Sequence, residues 1–364
     1  MAKRRRSDDE GGPSSSSRRH HHHHQIHLVV DDWTKGYSIY KVDLADLDGV
    51  DPGADLDSLA TPLPGPPVFR LESYHANYSH PWFSSVGGRI AAMHYNEEEE
   101  DAPVLLYDTT TGGLVVGPRA PAEARFACTF IPNGARDRLY MMGTSKFHGG
   151  EDHFEVLAEE EGGRWAWSSV RKPPFSTWKV ACDAACHAAH PDGRTIFFSV
   201  YGKGTYSFDT ETQEWKRHGD WMLPFRGRAC YDARLDAWVG LDSTGAGIVE
   251  GVVRSCDVVP TGGDHNNGPP PACKFVKEKM VCEDWNRTKN VALTHMGRGN
   301  FCLVEQRFRK GVDANIGDNI YLFYITTFKL RYDKDGELQA RARRTRSYTM
   351  PNESTGYNWW VFGM

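Results

Sequence analysis

Long apolar runs are the first thing missing. Nowhere in the 364 residues do 18 apolar residues follow one another, which argues against a membrane-crossing helix. The N-terminus is basic but has no apolar segment behind it, so a secretory leader is not expected. An excess of positive charge is missing too. With 43 Lys and Arg against 48 Asp and Glu the net charge is −5, and a broad basic face for nucleic acid is not expected. There is no P-loop, no G-x-S-x-G elbow and no G-x-G-x-x-G behind a strand, since Gly202-Lys-Gly204 belongs to a hairpin. Without a leader, the eight cysteines read as reduced thiols, mostly small buried hydrophobes. The sequons at Asn77, Asn286 and Asn352 are then without consequence.

Residues 1–25 have no apolar side chain after Ala2 until the run that follows them. Such a segment cannot bury a core and is expected to be a disordered tail. It carries Lys3, Arg4, Arg5 and Arg6, then Arg18 and Arg19, then five consecutive histidines. The two basic clusters read either as a bipartite nuclear-import signal or as a solvated tail, which leaves the expected localisation intracellular, in nucleus or cytoplasm. The histidine run reads as low complexity rather than as a metal site.

What the remaining sequence has is short β-rich runs cut by glycine and by Asp/Thr turns. Thr195 to Tyr201, Thr205 to Asp209 and Glu214 to His218 form one meander of hairpins, closing on Trp221-Met-Leu-Pro-Phe225. Ile196 to Val200 is apolar on both faces and must be covered on both. The pattern recurs. Asp108-Thr109 and Asp209-Thr210 stand 101 residues apart in equivalent places, and Arg136 to Met142, His153 to Leu157 and Trp165 to Val170 form the unit between. A shorter unit has runs at 228–233, 237–241 and 247–253, after which a Pro/Gly/Asn-rich insertion, Pro260 to Pro271, interrupts. Asp43 to Pro67 reads as a long surface loop, and Glu97 to Asp101 as a solvated hairpin tip.

Units of four short strands at a period of about 40–50 residues, with Gly near the first strand and Trp near the last, mark β-propeller blades. Six units are counted, the first incomplete. The aromatic end Tyr357 to Phe362 is expected to complete it, so that both ends of the chain build one closing blade. The expectation is an all-β, six-bladed, kelch-like β-propeller over residues 26–364 as one domain; the competing architecture is a pair of sandwiches.

The runs Asp31-Asp-Trp-Thr-Lys-Gly-Tyr-Ser-Ile-Tyr-Lys-Val-Asp43 and Phe208 to Asp232, with Asp236 to Leu241, resemble a grass-expanded plant family of kelch-like proteins known as a domain of unknown function. The basic start, Ala2 to Arg6, is similar to that family as well. The resemblance implies a kelch-type propeller in a plant cell and no activity.

Chemistry has to be sought in the residues. Cys182, Cys186, His187 and His190 have a C-x3-C-H-x2-H spacing that is able in principle to supply zinc; the other reading is a strand with its lead-in loop. Plant kelch propellers that redirect glucosinolate breakdown use an E-x3-D-x3-H iron motif. Asp183 and His187 match its second half, but Lys179 stands where the Glu belongs. His148 and His153 read as a solvated turn, and Asp242 and Glu250 as carboxylates that a central channel would have to bring together. The stretch with Trp221, Arg226 and Arg228 combines aromatic and arginine anchors on a connection, a partner-binding candidate whose other reading is edge packing. The basic run Arg331, Lys334, Arg341, Arg343, Arg344 and Arg346 reads either as a site for an acidic partner or phosphate or, from the alternation of its arginines with Ala, as the solvent face of an outer strand. No metal, cofactor or catalytic residue is expected. The functional expectation is a non-catalytic scaffold for another protein. Alternatives are an enzyme or small-ligand binder using the central channel, or a substrate-recruiting ubiquitin-ligase subunit, for which the leader is too short and polar.

Overall fold

The computed structural model describes residues 25–32, 36–47, 54–72, 82–93, 103–121, 126–133, 136–144, 151–176, 185–242, 253–262, 268–278, 280, 287–311, 321–350 and 358–364. The expected tail and its basic clusters lie outside them. Among the described residues every long element is a β-strand.

The first hairpin pairs β1 (Gln25–Asp31) with β2 (Tyr37–Asp43), Ile26 opposite Val42. Two short strands follow, β3 (Thr61–Pro62) and β4 (Phe69–Leu71), and β4 extends the hairpin beside β2. A four-stranded meander comes next: β5 (Trp82–Val86), β6 (Arg89–Met93), β7 (Pro103–Asp108) and β8 (Leu114–Arg119). The next is β9 (Phe126–Asn133), β10 (Arg138–Thr144), β11 (Asp152–Glu159) and β12 (Trp165–Ser169). Then β13 (Ala185–Ala189), β14 (Thr195–Val200), β15 (Gly204–Asp209) and β16 (Trp215–Gly219) form a meander whose first strand pairs in parallel with β17 (Gly227–Asp232). That joins it to β18 (Ala237–Leu241), β19 (Val253–Asp257) and β20 (Cys273–Phe275) in one eight-stranded sheet. The last meander is β21 (Thr288–Gly297), β22 (Asn300–Phe308), β23 (Tyr321–Tyr332) and β24 (Leu338–Thr349), with β3 added in parallel to β24. Finally β25 (Trp359–Gly363) pairs with β1, Ile26 opposite Gly363, giving the order β25-β1-β2-β4.

The hairpins turn where the sequence places Asp. The Asp108 carboxylate accepts the backbone N–H of Thr110 and Thr111, and Asp209 accepts those of Glu211 and Thr212. This is the local side-chain capture that starts an Asx turn, and it explains why an Asp-Thr pair stands at the same turn in both meanders. Gly204 has φ +89°, and a Cβ there would stand 2.0 Å from the Gly219 carbonyl oxygen, so no other residue fits.

Packing closes a circuit. Val29, Tyr37 and Ile39 of the first sheet pack on Phe83, Ile90 and Tyr107 of the second. The second meets the third through Leu106, Leu139 and Trp165, and the third meets the β13–β16 meander through Tyr140, Phe154 and Phe198. Phe197 packs with Trp238 of the β17–β20 meander, Val239 with Phe301 and Phe328 of the last, and Phe323 and Ile325 with Ile26 and Leu28 of the first. Each meander is apolar on both faces and is covered by its two neighbours, which is the arrangement of a β-propeller. Ile196 to Val200 is wholly buried on both faces, as its sequence requires. A pair of sandwiches is excluded by the same circuit, because the cores run on through the middle of the chain.

Four readings need correction. Asp43 to Pro67 is not a plain surface loop: Leu44, Leu47, Asp57 and Leu63 are buried, and the Asp57 carboxylate accepts hydrogen bonds from Arg287, Lys310 and Tyr324. The insertion 260–271 does not end its unit, since β20 lies beyond it. The third run of that unit, read over 247–253, lies outside the described residues up to 252 and continues past its expected end, β19 running from Val253 to Asp257. The first strand β9 precedes Arg136 to Met142, the run that looked like the start of its unit.

Candidate functional site

The strands β5, β9, β13, β17, β21 and β25, one from each meander, line a cavity of about 530 Å³. Each is the inner end of its meander, so residues as far apart in sequence as Ser84 and Gly363 share one wall. The polar groups converge on one side. His187 and His190 come from β13 and its end, Arg228 and Tyr231 from β17, Thr294 and His295 from β21.

The parallel register of β13 and β17 puts His187 opposite Arg228. Strand alternation turns Cys186 and Ala188 into the apolar core and His187 to the cavity. The His187 side chain is 8% exposed, and its Nε2 has no hydrogen-bond partner. Burial first, and the neighbouring Arg228 charge second, lower its pKa to about 3, so the imidazole is neutral at pH 7. Arg228 itself is exposed to the cavity and has no carboxylate within ion-pair distance among the described residues.

On β21, His295 Nε2 lies 2.7 Å from Asp232 Oδ2. Asp232 is fully buried; burial pushes its carboxyl up, but hydrogen bonds from His295 and from the backbone N–H of Gly299 and Leu235 outweigh this and hold it below the usual range. The carboxylate is therefore ionised and Nε2 carries the proton it donates. His190 is fixed differently, its Nδ1 accepting the Asp192 N–H at 3.2 Å. The cavity thus offers a guanidinium, a neutral buried imidazole and an oriented His–Asp pair to one small ligand.

One family model matches residues 23–348, that of a protein of unknown function, DUF1668. The chain belongs to the DUF1668 family. A search of curated proteins gave no match. Among solved structures, TolB from Acinetobacter baumannii is 13% identical, covering 89% of this chain and 65% of that chain at a TM-score of 0.41. Hydrazine synthase of Kuenenia stuttgartiensis is 15% identical, covering 80% and 69% at a TM-score of 0.35. Dihydro-heme d1 dehydrogenase NirN, in complex with DHE, is 12% identical, covering 94% and 78% at a TM-score of 0.39. These likenesses are remote, and no activity transfers from them.

In this DUF1668 chain the three residues expected to bind a partner are not one patch. Trp221 is half-buried against the Phe197–Trp238 core, and its indole N–H donates to the Gly268 carbonyl at 2.9 Å, tying down the 260–271 insertion. Arg226 is exposed on the connection into β17. Arg228, two residues on, belongs to the cavity. Of the zinc-like set, Cys186 and His187 point to opposite faces of β13, which prevents them from sharing an ion; Cys182 lies outside the described residues, as do Asp183, Lys179 and His148. No group of three or more metal-ligating side chains occurs among the described residues. Asp242 pairs with Arg254 at 3.0 Å rather than facing the cavity, and Glu250 lies outside the described residues. Arg341, Arg343 and Arg344 are exposed on β24, as read, although Ala342 at φ +52° interrupts their alternation.

Sequence reasoning missed His295 and Asp232. Their pairing is long-range, and the only local signal was Asp232 at a hairpin turn, accepting the N–H of Arg234 and Leu235.

Proposed function

We propose that this protein is a ligand-binding propeller whose central cavity takes a small anion, a carboxylate or phosphate ester, rather than a catalyst. The observation that carries this reading is Arg228, a cation with no carboxylate partner among the described residues, set beside the neutral, buried imidazole of His187, whose Nε2 has no partner. A carboxylate or phosphate would pair with the guanidinium and accept a hydrogen bond from the neighbouring imidazole N–H. The cavity's 530 Å³ fits a metabolite-sized ligand. The proposal includes a single six-bladed, kelch-type ring, supported by six meanders and six inter-sheet cores in sequence.

The test is thermal-shift and calorimetric screening of small carboxylates and phosphate esters against wild type and Arg228→Ala. A ligand present at about 100 times its Kd stabilises by about 2.7 kcal/mol, and Arg228→Ala is expected to abolish that shift while leaving the unliganded melting temperature unchanged. No shift from any anion, or an equal shift in Arg228→Ala, overturns the proposal.

A protein scaffold is the second reading. It is favoured by the edge strand β8, where Leu114, Val115 and Val116 are exposed in succession; an apolar edge of this kind is a ready template for strand addition.

A further inference from the structure

One pair of side chains outside the cavity is placed for covalent chemistry. On β19 and β20, Cys256 stands opposite Cys273. The neighbouring bonds define the type of pair. Asp257 N–H donates to Ala272 O at 2.9 Å and Val276 N–H to Val253 O at 3.0 Å, so positions 257/272 and 253/276 are hydrogen-bonded pairs. By the alternation of an antiparallel ladder, 256/273 is then a non-hydrogen-bonded pair, where Cα atoms approach to about 4.5 Å. That lies within the roughly 4.4–6.8 Å that a disulfide spans.

Both thiols are free; Cys256 Sγ donates to the Asp257 carbonyl at 3.6 Å and Cys273 Sγ to the Pro271 carbonyl at 3.3 Å. Cys256 is buried in the core beside Trp238, while Cys273 is exposed on the outermost strand of its sheet. The neighbouring Cys256 thiol first, and the Arg254 charge further down, favour the Cys273 thiolate against the effect of its partial burial. The exposed sulfur is therefore the one that an outside reagent meets, and the buried sulfur is the one that resolves.

We propose that Cys256 and Cys273 form a reversible cross-strand disulfide by exchange with a small dialkyl disulfide of the oxidised-glutathione class. The Cys273 thiolate attacks one sulfur of the reagent, whose S–S bond breaks, and one thiolate leaves and is protonated. Cys256 then gives up its proton and attacks the Cys273 sulfur of the mixed disulfide, expelling the second thiolate, which is also protonated. Two protein thiols are oxidised by two electrons and one reagent disulfide is reduced to two thiols. The new bond staples β20, a strand of three exposed residues, and closes the insertion between residues 257 and 272. Lys216 and Trp221 already hold that insertion, through Thr261 O and Gly268 O, so oxidation fixes both of its ends.

The experiment equilibrates the full chain over a series of reduced-to-oxidised glutathione ratios, alkylates the remaining thiols and maps peptides by mass spectrometry. Cys256 and Cys273 should lose alkylation together, appear in one linked peptide pair and recover with dithiothreitol. Cys256→Ser should stop at glutathione on Cys273; Cys273→Ser, at an exposed site, should leave Cys256 alkylated once the quenched protein is unfolded. Full alkylation of both cysteines in the most oxidising buffer, or linkage of either to another cysteine only, overturns the proposal. The wild-type peptide map decides even if a variant fails to fold.

Discussion

Trp215 shows how much one side chain on an outer strand does here. Its ring centroid lies 4.9 Å from that of Phe208, 5.3 Å from Phe198, 5.4 Å from Phe175 and 5.7 Å from Phe154, and its indole N–H donates to the Arg171 carbonyl at 3.0 Å. It therefore joins two meanders through both packing and a backbone bond. Trp215→Ala should cost roughly 3–5 kcal/mol, read as a lower denaturant midpoint, whereas a change of less than about 1 kcal/mol would mean that the neighbours collapse into the space. The role of Trp215 was legible in sequence, because a tryptophan closing a β-rich unit has only the next unit to pack on. His187 was not. Its neighbours there, Cys186 and Ala188, spell a small buried strand, and nothing local reveals that Arg228 stands alongside.

At the scale of elements, legibility followed hydrophobic contrast. Strands such as β14 and β23 announced themselves by apolar and β-branched runs. The innermost strand β13, Ala-Cys-His-Ala-Ala, was read as a strand only as the alternative to a zinc site, and the outermost β20, Cys-Lys-Phe, gave no signal, since it lies wholly exposed. The closing strand β25 was readable from its aromatics. Trp359 donates its indole N–H to Gln306 and packs on Phe323, and Trp360 packs 4.9 Å from Phe83. Strand β25 therefore fastens the first meander to the meanders on either side. Ending the chain at residue 357 should replace the single melting transition with a broad, lower one, and a synthetic peptide of residues 358–364 should restore it by strand addition. An unchanged transition in the shortened chain would show that the closure is not needed for stability.

For the molecule at large, two buried histidines among the described residues have lowered pKa values that shape the response to acid. His27 in β1 has no partner for either ring nitrogen, and burial first and Lys41 second lower its pKa to about 4; His187 is lowered to about 3. Each folded imidazole binds its proton more weakly than an unfolded one at about 6.5, so the unfolded state takes up more protons as pH falls below that value. The stability they allow is complete above pH 6.5. It is lost from there down to about pH 4 for His27 and about pH 3 for His187, at up to about 1.4 kcal/mol per pH unit for each. The depressed carboxyl of Asp232 acts in the opposite sense of charge but the same direction of pH, and its loss falls lower, below the ordinary carboxylate range. Urea melts from pH 7 to pH 4.5 should therefore show a steady fall in midpoint, flattened in His27→Phe. A constant midpoint over that interval would mean that both imidazoles find protons or partners in the fold.

The pairing of β1 with β25 also has a mechanical reading. Ile26 faces Gly363 and Val30 faces Trp359, so residues 25 and 364 lie side by side at the same end of an antiparallel ladder. Tension applied between those two residues would load the backbone bonds one after another, as in opening a zipper, instead of all at once as in shear. Sheets that share apolar cores on both faces would then yield to a small pull at this seam, and the cavity wall would part first along Val361, Phe362 and Gly363.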